Sequence, residues 1–344
     1  RWTWRCSDMP TRVAMPTPRP AGGTYIALPA GAFANHVISW PDGAVGQPDP
    51  FAIGVASDLR KFVRWNCHEP VQGSYVWAGN MYDGAHNYYA NADSAVTVWH
   101  AAGKKVLLCL SADSRPAWCD LNNDAAWSAW VSAAVTRWQP EAVEFINEPS
   151  GGVDITWLVR MYSLGKAAAK AAKPDIIIVG PSCESISNPG NGVEYTASFL
   201  NAGGAAHIDA LGVHLYPHGL PNHEPASIVD QMAWLHSQID SIWSGPIWNT
   251  EAGCAPEIFY TQPRETQLRW FWQTNMLPTL LGCAKSFWYA FGEDNYGPYN
   301  SPYLADIRAL WQTIVSFHGT VARWKMLPDG RLRVIRDDGA EFAY

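Results

Sequence analysis

The feature that most constrains this chain is an alternation. Eight short apolar runs of strand length are separated by longer stretches of helical character. The runs cover residues 35–39, 59–65, 104–112, 142–146, 175–182, 209–217, 246–252 and 284–291. Between them, residues 122–138 place Trp127, Val131, Ala134 and Trp138 on one helical face, with Asp124 the expected N-cap. Residues 155–173 are rich in Ala and Lys and must stop before Pro174, which cannot continue a helix. Residues 227–243 and 265–281 repeat the amphipathic pattern. Strand and helix alternating eight times predict an α/β chain closed as a (β/α)8 TIM barrel. An open, doubly wound sheet is the competing architecture, but no Gly-rich phosphate loop follows an early strand.

The flanks read differently. Residues 1–33 are rich in Pro, Gly and Thr and carry no helical period. The barrel is expected over 34–318. In 319–344 two alternating runs flank Pro328-Asp329-Gly330, a hairpin signal. Together the two flanks are expected to form a small β-type appendage.

A chain of 344 residues, 48% hydrophobic, can bury a large core. Its net charge of −7 and the lack of any Lys/Arg run make nucleic acid and anionic membrane surfaces poor partners. No stretch is long and apolar enough to span a bilayer. The outlier is Trp, at 19 residues. Aromatic faces pack on the C–H faces of sugars, which suits a carbohydrate cleft, although about two-thirds of such rings are expected in the core. Of seven cysteines, none has zinc-like spacing. Cys109 and Cys283 read as buried apolar residues. Cys67, Cys119, Cys183 and Cys254 fall near strand ends, where one or two disulfides would fit an exported protein. The start at Arg1 rather than Met agrees with a removed signal peptide, so a secreted or periplasmic protein, acting as a monomer, is expected.

In such a barrel, chemistry gathers where the strands end. The fourth run leads into Asn147-Glu148-Pro149 and the seventh into Asn249-Thr250-Glu251. Two carboxylates at the ends of two parallel strands can converge in one pocket and divide acid/base and nucleophilic work. Asn147 can bond a hydroxyl beside the reacting carbon, or the tripeptide is a simple strand-to-helix turn. Glu144, four residues before Glu148, reads as a buried support. At the end of the sixth run, His214 and Tyr216 point the same way by period 2, to orient a carboxylate or to pack in the core. Trp288 is a candidate floor for a ring, or a core residue. Arg60 and Arg64 share parity, so either could fix a carboxylate. Trp118 and His36 are rim candidates. His214, His218 and His223 raise a metal reading, but no matching carboxylate spacing accompanies them, and no metal or cofactor is expected.

These stretches in this order, with residues 65–77 (WNCHEPVQGSYVW), resemble the clan A retaining glycoside hydrolases, and within them family 39 and its bacterial relatives. The resemblance spans residues 34–318. It implies that Glu148, after Asn147, is the acid/base and Glu251 the nucleophile of a hydrolase that cleaves polysaccharides or oligosaccharides without a cofactor. Ile146 stands where the family often has Trp, and the first strand around His36 is not cleanly matched. Members act on xylosides, iduronides and bacterial exopolysaccharides, and endo action on a polymer is the expectation here. A carbohydrate-binding barrel without activity, a transglycosylase and a metal-dependent hydrolase are the rival readings.

Overall fold

The computed structural model describes residues 26–30, 32–36, 58–77, 92–183, 192–217, 225, 227–254, 256–289 and 301–344. Twelve strands are described in chain order. β1 is Ile26–Ala27 and β2 is Phe33–His36. β3 is Asp58–Phe62, β4 is Lys105–Cys109 and β5 is Ala142–Glu144. β6 is Ile177–Cys183, β7 is Ala210–His214, β8 is Ile247–Ala252 and β9 is Cys283–Trp288. β10 is Val321–Met326, β11 is Leu332–Arg336 and β12 is Glu341–Ala343. The longer helices are α1 (Ala92–Ala101), α2 (Asp124–Trp138), α3 (Ile155–Ala172), α4 (Gly192–Asn201), α5 (Ser227–Ile239), α6 (Arg264–Leu280) and α7 (Leu304–Val315).

β2 to β9 close into a barrel, each parallel to its neighbour, with β9 pairing back onto β2. All eight expected runs contribute one strand, so the fold is the (β/α)8 barrel. Alternation along each strand sorts the side chains into two layers. Leu107, Ala142, Val179, Ala210, Trp248 and Phe287 fill the barrel interior. Their neighbours Val106, Leu108, Val143, Ile178, Leu211 and Trp288 join the larger core beneath the helices. Most of the described tryptophans are spent in that core.

Some boundaries move. The second barrel strand stops at Phe62, and Trp65 opens a helical turn instead of ending a strand. The N-cap of α2 is Asn123, whose side chain accepts the Ala126 N–H, and Asp124 is the first helical residue. No disulfide joins any two of the six described cysteines, contrary to the expectation for Cys67, Cys119, Cys183 and Cys254, and all six are buried. Each is accommodated as a small apolar side chain.

Beside the barrel lies an antiparallel sheet in the order β1-β10-β11-β12. The hairpin around Asp329-Gly330 forms with Met326 opposite Leu332. A second turn at 337–340 adds β12, which the pattern of the sequence did not reveal. Trp272 of α6 ties the sheet to the barrel by donating to the Leu332 carbonyl at 3.0 Å. Among the described residues, no helix is long and apolar enough to cross a membrane.

Candidate active site

The fourth and seventh barrel strands are β5 and β8, and their ends meet across the mouth. Side-chain atoms of Glu148, Glu251 and His214 lie within 4.8 Å of one another. Two local irregularities make this possible. Glu148 adopts the left-handed conformation, φ 49° and ψ 58°, just before Pro149. That costs a non-glycine residue energy, and such strain collects at functional sites. In β8 the register slips so that His214 pairs with Glu251 directly after Val213 pairs with Asn249. The slip lets Thr250 and Glu251 both face inward, which strict alternation forbids.

Arg60 organises the floor. It is fully buried on β3. Its Nε donates to Glu144 Oε2 at 2.7 Å, one Nη donates to Glu251 Oε1, and the other donates to Asn147 Oδ1 at 3.0 Å. Burial alone would weaken the guanidinium's hold on its proton, but Glu144 and Glu251 outweigh it and hold Arg60 charged. Arg60, not Arg64, is the inward arginine, because the strand ends at Phe62 and parity stops counting there.

Glu251 is 5% exposed at its side chain and receives a second hydrogen bond, from the Tyr216 hydroxyl at 2.9 Å. Burial, and then the charge of Glu251, push the Tyr216 hydroxyl well above its ordinary range, so it stays a donor. Glu148 is more open, 34% exposed, with Oε1 2.8 Å from His214 Nδ1. The same nitrogen lies 3.5 Å from Glu251 Oε2. Burial would lower the His214 pKa, yet Glu251 and Glu148 together raise it above its usual value. A cation held by Glu148, His214 and Glu251 would sit beside the Arg60 guanidinium and compete with it for Glu251. The donor set suits carboxylate chemistry better than a metal centre.

The remaining candidates divide. Asn147 and Tyr216 join the cluster. Trp288 does not: it is 1% exposed and its ring lies 4.6 Å from Phe271 of α6, behind the sheet. Period 2 gives the barrel interior to Phe287 and turns Trp288 outward. Trp118 stands beside the mouth, half-buried, donating to the Glu69 carbonyl at 2.8 Å and meeting Trp65 edge-on. His36 ends β2 in register with Arg60. The His36 side chain, His218 and His223 lie outside the described residues.

Ser182 is the residue that pattern reading missed. It sits at φ 56° where the β6–β7 register slips, and its Oγ donates to Glu144 Oε1 at 2.5 Å. Its signal was the Gly180-Pro181-Ser182 break in an apolar run, opposite Gly212. A Cβ on Gly212 would fall 2.1 Å from the Ser182 Oγ, so only glycine leaves that hydroxyl its place.

Residues 160–306 match the family model described as glycosyl hydrolase catalytic core. No curated protein matched by sequence. Among solved structures, a family 39 glycoside hydrolase from the gut symbiont Bacteroides cellulosilyticus WH2 superposes with a TM-score of 0.64 at 17% identity, covering 92% of this chain and 70% of that one. A glucosidase from Croceicoccus marinus gives 0.61 at 14% identity, over 92% of this chain and 76% of that one. The catalytic domain of a family 30 xylanase C from Talaromyces cellulolyticus gives 0.56 at 12% identity, over 93% and 84%. These structural likenesses establish a shared fold.

Proposed function

We propose that this chain, whose residues 160–306 match the glycosyl hydrolase catalytic core model and whose barrel is similar to that of a family 39 glycoside hydrolase, cleaves glycosidic bonds by double displacement, with retention of configuration. The observation that carries the reading is the separation of the two glutamates. One carboxylate oxygen of Glu148 lies within 4.8 Å of one of Glu251, which leaves no room for a water held in line between them. Retaining enzymes hold the two groups about 5–5.5 Å apart, whereas inverting enzymes leave about 6.5–9.5 Å for a water.

The two environments support a division of roles. Glu251, enclosed and held by Arg60 and Tyr216, is the nucleophile that attacks the anomeric carbon. The more exposed Glu148 protonates the departing oxygen, then takes a proton from the water that releases the glycosyl-enzyme. His214, between them, orients Glu148 and stabilises its charge once the proton has left. Asn147, fixed by Arg60, is placed to bond the hydroxyl next to the anomeric carbon.

The proposed substrate is an extended polysaccharide, such as a bacterial exopolysaccharide, cut internally by a monomer that is secreted or periplasmic. Trp118 and Trp157, half-buried on the segments that follow β4 and β5, offer aromatic faces for further sugar units. The discriminating experiment compares wild type with Glu148→Gln and Glu251→Gln on plant and bacterial polysaccharides and 2,4-dinitrophenyl glycosides. Proton NMR follows the anomer first released. Retained configuration, a trapped 2-fluoroglycosyl adduct on Glu251 and loss of at least roughly 100-fold in each variant are expected. Inverted product, or full activity in both variants, would overturn the reading. A transglycosylase would show itself by longer products with the same adduct.

A further inference from the structure

Glu144 has no part in the double displacement, yet it occupies the centre of the site's buried polar network. It is 0% exposed beneath the catalytic pair. One of its oxygens receives Arg60 Nε at 2.7 Å, and the other receives Ser182 Oγ at 2.5 Å. Ser182 Oγ in turn accepts from Thr250 Oγ1 at 3.3 Å, one residue before Glu251. The network therefore crosses β3, β5, β6 and β8 and returns to Glu251 along two routes. The first runs through the Arg60 fork, the second through Ser182 and Thr250.

Two independent features indicate that this arrangement is held against local preference. Ser182 is kept at a positive φ, which serine rarely adopts. Across from it, Gly212 leaves empty the space that its hydroxyl fills. A buried carboxylate serving only to neutralise Arg60 would need neither.

We infer that Glu144 is a positioning residue for Glu251, which divides the charge of Arg60 with it and fixes the direction in which the guanidinium points. The inference rests on the proposed role of Glu251 as nucleophile. Its physical content is a competition. A guanidinium shared by two carboxylates gives each part of its charge, so Glu251 is steadied without being fully neutralised. Arg60, His214 and Tyr216 face Glu251 directly, Glu148 shares His214 with it and Glu144 shares Arg60. Cys109 and Tyr162 lie near Glu144, and burial keeps both neutral, with Cys109 pushed up to about 12 and Tyr162 well above its ordinary range. Glu144 is thus the negative group whose removal leaves the whole Arg60 charge to Glu251.

The test is Glu144→Gln, which keeps the shape and an acceptor for Arg60, measured beside Ser182→Ala, Glu148→Gln and Glu251→Gln. The probe is whichever 2,4-dinitrophenyl glycoside wild type hydrolyses fastest. In Glu144→Gln, kcat is expected to fall 10- to 100-fold with KM within about twofold, and the acid limb of the kcat/KM profile to move about one pH unit lower, as expected when a buried negative charge is lost. Ser182→Ala, which loosens Glu144 without changing charge, is expected to lower kcat about fivefold and leave the limb in place. A lower Tm with an unmoved limb and wild-type kcat in Glu144→Gln would reduce Glu144 to a structural acid and overturn the inference. Should Glu144→Gln not fold, Ser182→Ala decides by itself, and unchanged kcat overturns the inference. If Glu148→Gln and Glu251→Gln are inactive while Glu144→Gln behaves as wild type, this inference alone fails. If those two variants stay active, or wild type turns over no glycoside, the proposed function fails with it.

Discussion

The two ends of the barrel both bury charge, but they do so in opposite ways. At the end where the strands begin, each acid is matched by cations or backbone donors, Asp209 by both Lys166 and Lys170. Lys285 pairs with Asp58 and lies over the Trp248 ring, 4.9 Å from its centroid. Lys170 meets Asp209 at 2.9 Å, and the same carboxylate accepts the Ile178 N–H at 3.0 Å. Glu141 accepts the Val106 N–H at 2.7 Å. At the end where the strands finish, Arg60 serves two carboxylates, and His214 stands between Glu251 and a third acid, Glu148. Backbone conformation divides the same way. Ser111, Glu148 and Ser182 take positive φ at the finishing ends of three neighbouring strands. At the other end Gln139 does so, but as the ordinary left-handed cap of α2. One end is settled electrostatically and the other is held in tension, as expected when stability and chemistry occupy opposite faces of a barrel.

The largest effect that would break this comparison is at the settled end. Lys285→Ala leaves the Asp58 carboxylate, 5% exposed, without its ammonium partner. Removing one member of a buried pair costs about 3–5 kcal/mol. Urea unfolding should register that loss, while kcat/KM of the folded fraction stays at the wild-type value. A fall in kcat/KM with unchanged stability would mean that the two ends are not separate.

Two buried histidines on the finishing side, His68 just after β3 and His214 at the end of β7, answer pH in opposite directions. His68 is packed against Trp130, Trp77 and Trp138, and its Nδ1 donates to the Val76 carbonyl at 2.9 Å. Burial lowers its pKa to about 4. The unfolded chain takes up that proton near 6.5, so between 6.5 and 4 the unfolded state binds more protons and stability falls as pH drops. The loss from this one residue is about 3 kcal/mol. His214 has the opposite sign. Its raised pKa gives a contribution that is complete below 6.5 and disappears as pH rises through the folded value. Urea midpoints from pH 4 to pH 7 should therefore slope less steeply in His68→Phe than in wild type. An unchanged slope would place the acid sensitivity elsewhere.

How much of this was legible depends on the range of the forces involved. The barrel was readable because each strand needs one short apolar run and each helix one amphipathic stripe, both local signals. The pair Glu148 and Glu251 was readable for the same reason, since each lies just past such a run. Trp288 went astray at a strand end, where a one-residue difference in facing reverses the side chain's address, and the choice between Arg60 and Arg64 stayed open there for the same reason. Ser182 and the division of Arg60 between two acids were hidden because they arise from bulges and left-handed residues, which interrupt the periodicity that sequence reading relies on. Cysteine position near strand ends misled for a related reason: proximity along the sequence to a loop does not place two sulfurs together.

The smallest effect distinguishes the two hands that hold Glu251. Arg60 supplies charge from beneath, while Tyr216 supplies a neutral donor from the end of β7. In Tyr216→Phe the ring and its packing remain, including the edge-on contact with His214 at 6.4 Å, and only the hydroxyl leaves. A hydrogen bond to a charged group is worth about 1.5–3 kcal/mol, so a drop of roughly 10- to 100-fold in kcat is expected, with KM little changed. Because no charge is removed, the acid limb of the pH profile should move less than in Glu144→Gln. A Tyr216→Phe limb shift equal to that of Glu144→Gln would show that donor number, not the division of the Arg60 charge, governs Glu251, and the contrast between a settled and a tensioned end would have to rest on geometry alone.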